Sequence, residues 1–142
     1  MIQQIYPTVA HHFRYELNKD MNFSAAHFIP DQAAGVCARM HGHTYFVNVT
    51  IAGDQLDKLG FLIDFKALKD TVHGTFDHSV MNEHPDFLTA YPTTEIVASV
   101  IWRKVQALLD TKNNKARCLQ VFVRETPTSY VCYRPKEEDF NA

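Results

Sequence analysis

The sequence predicts an α+β fold: an antiparallel four-stranded sheet with two helices on one face. Three observations carry this. Apolar residues alternate with period two over two long stretches early in the chain and over two shorter ones near its end. Between them the spacing switches twice to that of an amphipathic helix. The resulting order, ββααββ, suits hairpin-connected strands with the helices packed on one side. With 142 residues, 46% of them hydrophobic, the chain can bury one ordinary core, so a single domain over 1–142 is expected.

The elements follow in order. Residues 1–12 form an N-terminal arm without periodicity. From Phe13 to His27 the odd positions are Phe, Tyr, Leu, Lys, Met, Phe, Ala and His, and the even ones are Arg, Glu, Asn, Asp, Asn, Ser and Ala. That alternation predicts a long strand with one dry face. Residues 28–40, with Pro30, Asp31 and Gly35, form a loop. A second strand runs from His41 to Ile51, with His41, His43, Tyr45, Val47, Val49 and Ile51 on one face and Gly53-Asp54 closing it. Over 64–77, Phe65, Leu68, Val72 and Phe76 sit at helical spacing, with Asp64 placed to cap. After a broken stretch at 82–86, Thr93 caps a stronger helix whose stripe is Ile96, Val97, Val100, Ile101, Val105, Leu108 and Leu109. Strands over 117–125 and 129–134 follow, joined by Thr126-Pro127-Thr128. Residues 135–142 form a frayed polar tail.

Composition removes several functional classes. A net charge of −2 provides no general attraction for nucleic acid or an anionic membrane surface. The longest apolar runs are too short to span a bilayer, and the first residues lack a signal-peptide pattern. Three cysteines, an odd number, argue against a disulfide framework and for a reducing compartment, so a cytoplasmic location is expected.

Eight histidines are present, and three of them stand out. His41 and His43 are two apart on a strand, so both rings project from one face. His27 ends the preceding strand on its odd face. If the two strands pair across the 28–40 loop, the three imidazoles converge. Three neutral nitrogens suit Zn²⁺ and leave a position open for water or substrate. The alternative is a core-packed His27 with the other two turned outward.

Cys37 lies four residues before His41 in a polar loop with Arg39 nearby, surroundings that lower a thiol pKa. It could carry a reactive thiol or be a fourth ligand that closes the metal site, and spacing does not decide between the two. Cys118 and Cys132 fall inside strands and are expected to be small core residues. Asp77 and His78 would diverge by about 100° on a regular helix, so they cooperate only at a helix end or across a subunit contact. Glu125 continues the inward face of Leu119, Val121 and Val123, where a carboxylate needs a partner with paired N–H donors. Glu95 stands in a first helical turn, where it can answer the helix dipole.

Six segments in order match one family: Phe23-Ser24-Ala25-Ala26-His27, Cys37-Ala38-Arg39-Met40-His41-Gly42-His43, Gly60-Phe61-Leu62-Ile63-Asp64-Phe65, Phe76-Asp77-His78, Pro92-Thr93-Thr94-Glu95 and Val123-Arg124-Glu125-Thr126. Through them residues 13–134 resemble the 6-pyruvoyl-tetrahydropterin synthase family. The likeness is strongest to its bacterial branch, the 6-carboxy-5,6,7,8-tetrahydropterin synthases of queuosine biosynthesis. The three-residue gap between Cys37 and His41 resembles that branch rather than the animal pyruvoyl-forming enzymes. A cysteine instead of a glutamate at position 37 separates it from a subgroup assigned to folate synthesis.

The resemblance implies catalytic Zn²⁺ on His27, His41 and His43, and Cys37 as the base with Asp77 and His78 as a proton relay. It implies Glu125 as the pterin anchor, with Thr94 and Glu95 in the segment lining that pocket. The substrate it implies is 7,8-dihydroneopterin triphosphate, converted to a 6-carboxylate with loss of acetaldehyde and triphosphate. Arg39 and Arg124 are candidates for the triphosphate. It further implies the tunnelling fold, in which sheets of several subunits join into a barrel. A homohexamer (a dimer of trimers) with active sites between subunits is then expected. Other readings are a 6-pyruvoyl-tetrahydropterin synthase, a non-catalytic domain with a closed His₃Cys zinc site, and a zinc-free pterin aldolase of the same fold.

Overall fold

A computed structural model describes residues 5–141. Its strands are β1 (Tyr15–His27), β2 (His41–Gly53), β3 (Ser79–Val80), β4 (Arg117–Thr126) and β5 (Ser129–Tyr133), and its α-helices are α1 (Phe65–Phe76) and α2 (Thr94–Asp110). The sheet order is β3-β1-β2-β4-β5, with β3 parallel to β1 and every other pair antiparallel. The expected sheet of four antiparallel strands is therefore corrected to five strands of mixed direction. β3 is two residues long, too short for any period to register in the sequence.

Alternation sorts the two long strands as expected. Phe23, Tyr45, Val49 and Ile51 are fully buried on the inner face, beneath the helices. Leu68, Val72 and Phe76 of α1 pack toward β1, and Val97, Val100, Ile101, Val105 and Leu109 of α2 pack toward β4 and β5. Asp64 accepts from the Lys66 N–H and Thr93 from the Ile96 N–H, so both expected caps form. Phe65, expected in the α1 stripe, is half exposed instead, with the Lys19 ammonium 5.5 Å from its ring centroid. As the first helical residue its side chain leans back toward the N-terminus, past the edge of the core.

β2 runs two residues further than expected, to Gly53. A Cβ there would stand 2.9 Å from Leu62 Cδ1 and 3.4 Å from Ala116 Cα, so any side chain at this position would have to displace Leu62. In β4 the register with β2 slips. Ile51 pairs with Cys118 and Thr50 with Gln120, which leaves Leu119 as a bulged residue. The inner face is therefore Cys118, Val121 and Val123; Leu119, expected inward, is only half buried. Burial pushes the Cys118 thiol up to about 12, in keeping with a core residue.

The chain ends depart further from expectation. Residues 137–141 form a 3₁₀ turn that sets the Phe140 ring edge-on to Trp102, with the Arg117 guanidinium 4.4 Å above it. The expected frayed tail is thus packed; Ala142, its last residue, lies outside the described residues. Of the arm, Met1 to Gln4 lie outside them too. The rest runs over the outer, polar face of the sheet, where the Tyr6 hydroxyl donates to Asp20 (2.6 Å) and the Gln120 amide donates to the Pro7 carbonyl (2.9 Å). No helix among the described residues is long and apolar enough to cross a membrane.

Candidate active site

The pairing of β1 with β2 sets His27 directly opposite His41, and Ala25 opposite His43. All three histidines occupy odd positions, so their rings emerge on the inner face at the end of the sheet. Glu125 reaches the same place from β4. One ligand atom from each of the four residues lies within 4.8 Å of all the others. His27 Nε2 stands 3.0 Å from His41 Nε2, and Glu125 Oε1 is 3.2 Å from Nε2 of both His27 and His43.

The protonation pattern favours a cation here. His27 Nδ1 lies 2.8 Å from the Pro92 carbonyl, and His41 Nδ1 lies 2.7 Å from the Arg39 carbonyl. A carbonyl only accepts, so each Nδ1 carries a hydrogen, and with the rings neutral, as metal binding requires, each Nε2 presents a lone pair. Two lone pairs then face each other across 3.0 Å beside a carboxylate, an arrangement that repels until a positive charge enters. Donors at about 2.0–2.1 Å from one zinc lie about 3.3 Å apart in a tetrahedron, near the 3.0 Å between the His27 and His41 nitrogens. The Nδ1 bonds to carbonyls are the outer contacts that orient metal-binding imidazoles. Burial holds the His43 pKa below the ordinary histidine value; Glu125 opposes this and the two neighbouring histidines reinforce it. Tyr45, fully buried under the site, places its hydroxyl 3.3 Å from His27 Nδ1.

The other candidate residues fall around this centre. Cys37 lies in a 3₁₀ segment, Gln32–Ala38, with its thiol exposed and its carbonyl taking the Ile29 N–H at 2.8 Å. That bond draws together the two ends of the loop that starts at His27. Cys37 stands outside the four-residue group, whose fourth member is Glu125, so the closed His₃Cys arrangement does not form. Asp77 is the residue that ends α1, and His78 follows in the left-handed region (φ 57°), which brings its Nε2 to 3.3 Å from Asp77 Oδ2. A non-glycine residue held there is strained by about 1–2 kcal/mol, a feature common at functional positions. Ser24 pins the pair by donating its N–H to Asp77 Oδ1 (2.8 Å) and accepting the His78 N–H (2.7 Å). The Ser24 bond holds the Asp77 carboxyl below its usual range, and the two histidines beside it, His73 and His78, add to that.

His78 is largely exposed, and no described hydrogen bond or ion pair links Cys37 to Asp77 or His78 within one chain. Thr94 is buried in the first turn of α2, two residues beyond the Pro92 carbonyl, whereas Glu95 is exposed. Arg124 sits on the outer face over the Phe122 and Tyr130 rings, away from the imidazoles. The contacts that Pro92 and Tyr45 make with His27 go beyond what the sequence predicts. Tyr45 was within reach, since it is the next odd residue after His43. The Pro92 carbonyl carries no side-chain signal.

Residues 16–136 match the model of the family described as 6-pyruvoyl tetrahydropterin synthase. The chain belongs to this family. It is 57% identical to the 6-carboxy-5,6,7,8-tetrahydropterin synthase of Bacillus subtilis, an alignment covering 99% of both chains. It is 32% identical to the protein of the same name from Synechocystis, over 62% of this chain and 72% of that one. Among solved structures, the 6-pyruvoyl tetrahydropterin synthase of Caenorhabditis elegans superposes with a TM-score of 0.68 at 25% identity, covering 86% of this chain and 96% of that one. The tunnelling fold expected from the sequence is thus the fold the chain adopts.

Proposed function

We propose that this chain converts 7,8-dihydroneopterin triphosphate to 6-carboxy-5,6,7,8-tetrahydropterin, releasing acetaldehyde and triphosphate, as a zinc-dependent carbon–carbon lyase of queuosine biosynthesis. The observation that carries this is the convergence of three imidazoles on one end of the inner face, in a chain similar over its full length to a protein of that name. His27, His41 and His43 would hold the metal. Zinc bound there supplies Lewis-acid polarisation of substrate oxygens.

The chain's own groups do the rest. Glu125 accepts two N–H bonds from the amino-pyrimidine edge of the pterin and so fixes the side chain to be cleaved. Cys37, as thiolate, removes a proton, and His78, oriented by Asp77, returns one. Thr94 and Glu95 at the start of α2 line the pterin pocket, and exposed Arg39 is a candidate to meet the triphosphate. No described hydrogen bond or ion pair joins Cys37 to the Asp77-His78 pair within a single chain. A homohexamer with sites between subunits would unite them, and exposed Phe46, Tyr130, Val36 and Leu88 supply apolar surface for it. Three unpaired cysteines favour the reducing cytoplasm.

The test is to incubate the zinc-loaded protein with 7,8-dihydroneopterin triphosphate and resolve the products by mass. The 6-carboxylate with acetaldehyde is expected. A pyruvoyl product would move the chain to the other branch of the family, and no product would remove the reading.

Glu125→Gln tests the anchor separately. The amide keeps the shape but turns one acceptor into a donor facing a donor on the ring. A lost charged hydrogen bond in a buried site costs about 2–5 kcal/mol, so pterin affinity should fall at least about tenfold while zinc stays near one per chain. Calorimetric pterin titration and metal analysis check both halves. Loss of the metal would instead make Glu125 a ligand.

A further inference from the structure

The segment from Ser79 to Pro92, which leads into α2, performs none of the chemistry above, yet it grips β1 at its functional end. Its first residues run parallel to β1, with Ser79 paired to Ala25 and Val80 to Ala26. Where the backbone then turns away at Met81–Glu83, the Asn82 side chain continues the ladder. Its Oδ1 accepts the Phe28 N–H at 3.0 Å and its Nδ2 donates to the Phe28 carbonyl at 2.9 Å. One side-chain amide thus stands in for a paired strand residue. Phe28 follows His27 immediately and lies one residue beyond the last β1–β2 pair, His27 with His41. The same segment ends at Pro92, whose carbonyl takes the hydrogen of His27 Nδ1. Met81 on one side of Asn82 is fully buried, which anchors the amide to the core.

We infer that Asn82 is a positioning residue for the metal centre: its two-bond clasp on Phe28 fixes the main chain of His27, while Pro92 fixes the ring. The inference rests on the reading of His27 as a metal ligand. Without the clasp, both polar groups of the Phe28 backbone would turn to water and the last residue of β1 would fray. His27 would then sample positions in which its Nε2 no longer meets those of His41 and His43. Groups that orient a metal-binding imidazole typically contribute about 10–100-fold in metal affinity. Asn82 acts one bond further out, so about tenfold is expected.

The experiment measures Zn²⁺ affinity by competition with a chromophoric chelator, and the visible absorption of the Co²⁺-substituted protein, for the wild type, Asn82→Ala, Asn82→Asp and Val80→Ala. Val80→Ala trims packing on the same short strand without touching the clasp, so it reports what general destabilisation does. Expected are zinc binding about tenfold weaker and a shifted cobalt band in Asn82→Ala, with both unchanged in Val80→Ala at a comparable loss in melting temperature. Asn82→Asp keeps the acceptor for the Phe28 N–H but sets a carboxylate against the Phe28 carbonyl; it should weaken zinc at least as much, and it serves if the alanine variant does not fold. Wild-type affinity and spectrum in a folded Asn82 variant would overturn the inference and leave the metal reading standing. So would a cobalt shift in Val80→Ala equal to that in Asn82→Ala, or failure of both Asn82 variants to fold. A wild type that takes up neither ion would overturn the metal reading itself, and the inference with it.

Discussion

His41→Ala is expected to give a folded chain that retains little zinc and turns over substrate more slowly by orders of magnitude. His41 opens β2, is half exposed, and lends no bulk to the core, so its removal need not disturb packing. What is lost is one of three nitrogen donors, together with the Arg39 carbonyl contact that orients it. The metal-free variant should be as stable as the metal-free wild type or more so, because the confrontation of two lone pairs at 3.0 Å disappears. Zinc should raise the melting temperature of the wild type, since a ligand at a thousandfold excess over its Kd stabilises by about 4 kcal/mol. It should leave the variant nearly unchanged. Elemental analysis and melting with and without zinc test this. Zinc still near one per chain in His41→Ala would show that the metal, if bound, is held elsewhere.

Cys37→Ala should separate chemistry from metal binding. The thiol is exposed on a 3₁₀ segment, outside the group formed by the histidines and Glu125, and nothing in the core depends on it. Fold, assembly and zinc content should therefore survive while turnover falls by orders of magnitude, the consequence of removing a proton-transfer group. Cys118→Ala is the matching control. That thiol is fully buried and its pKa is pushed up to about 12, so it does not ionise near neutrality. The control should cost only a modest core defect and leave the rate intact. Single-turnover rates with parallel metal analysis distinguish the outcomes. If Cys37→Ala lost its zinc, Cys37 would be a ligand and the proposed proton transfer would fall.

Much of this arrangement is legible along the chain, and the residues show why. His27, His41 and His43 share a face because strand period two is a local property, and Asp64 and Thr93 cap their helices through bonds spanning two or three residues. Where only backbone acts, the sequence is mute. β3 is recognised by its ladder to Ala25 and Ala26, the bulge at Leu119 by a register slip against Thr50 and Ile51, and the Pro92 bond to His27 by a carbonyl that every residue possesses. The tail departs from its expected solvation for a related reason. Its charged composition predicts solvation, but one aromatic residue, Phe140, finds Trp102 and Arg117 across the fold.

Periodicity and order were therefore enough to settle the fold class, the two helices, the dry face of the sheet and the identity of three imidazoles on it. These follow from interactions between residues a few positions apart, whose geometry the backbone repeats. The tertiary structure alone decided that Glu125 from β4 stands against His27 and His43, that Asp77 and His78 meet through a left-handed turn pinned by Ser24, and that Asn82 holds the strand end carrying His27. Each of these joins residues about 50 to 100 positions apart, or turns on a single backbone angle. Such contacts depend on how sheet register and helix placement close around one core, and no local pattern records that closure.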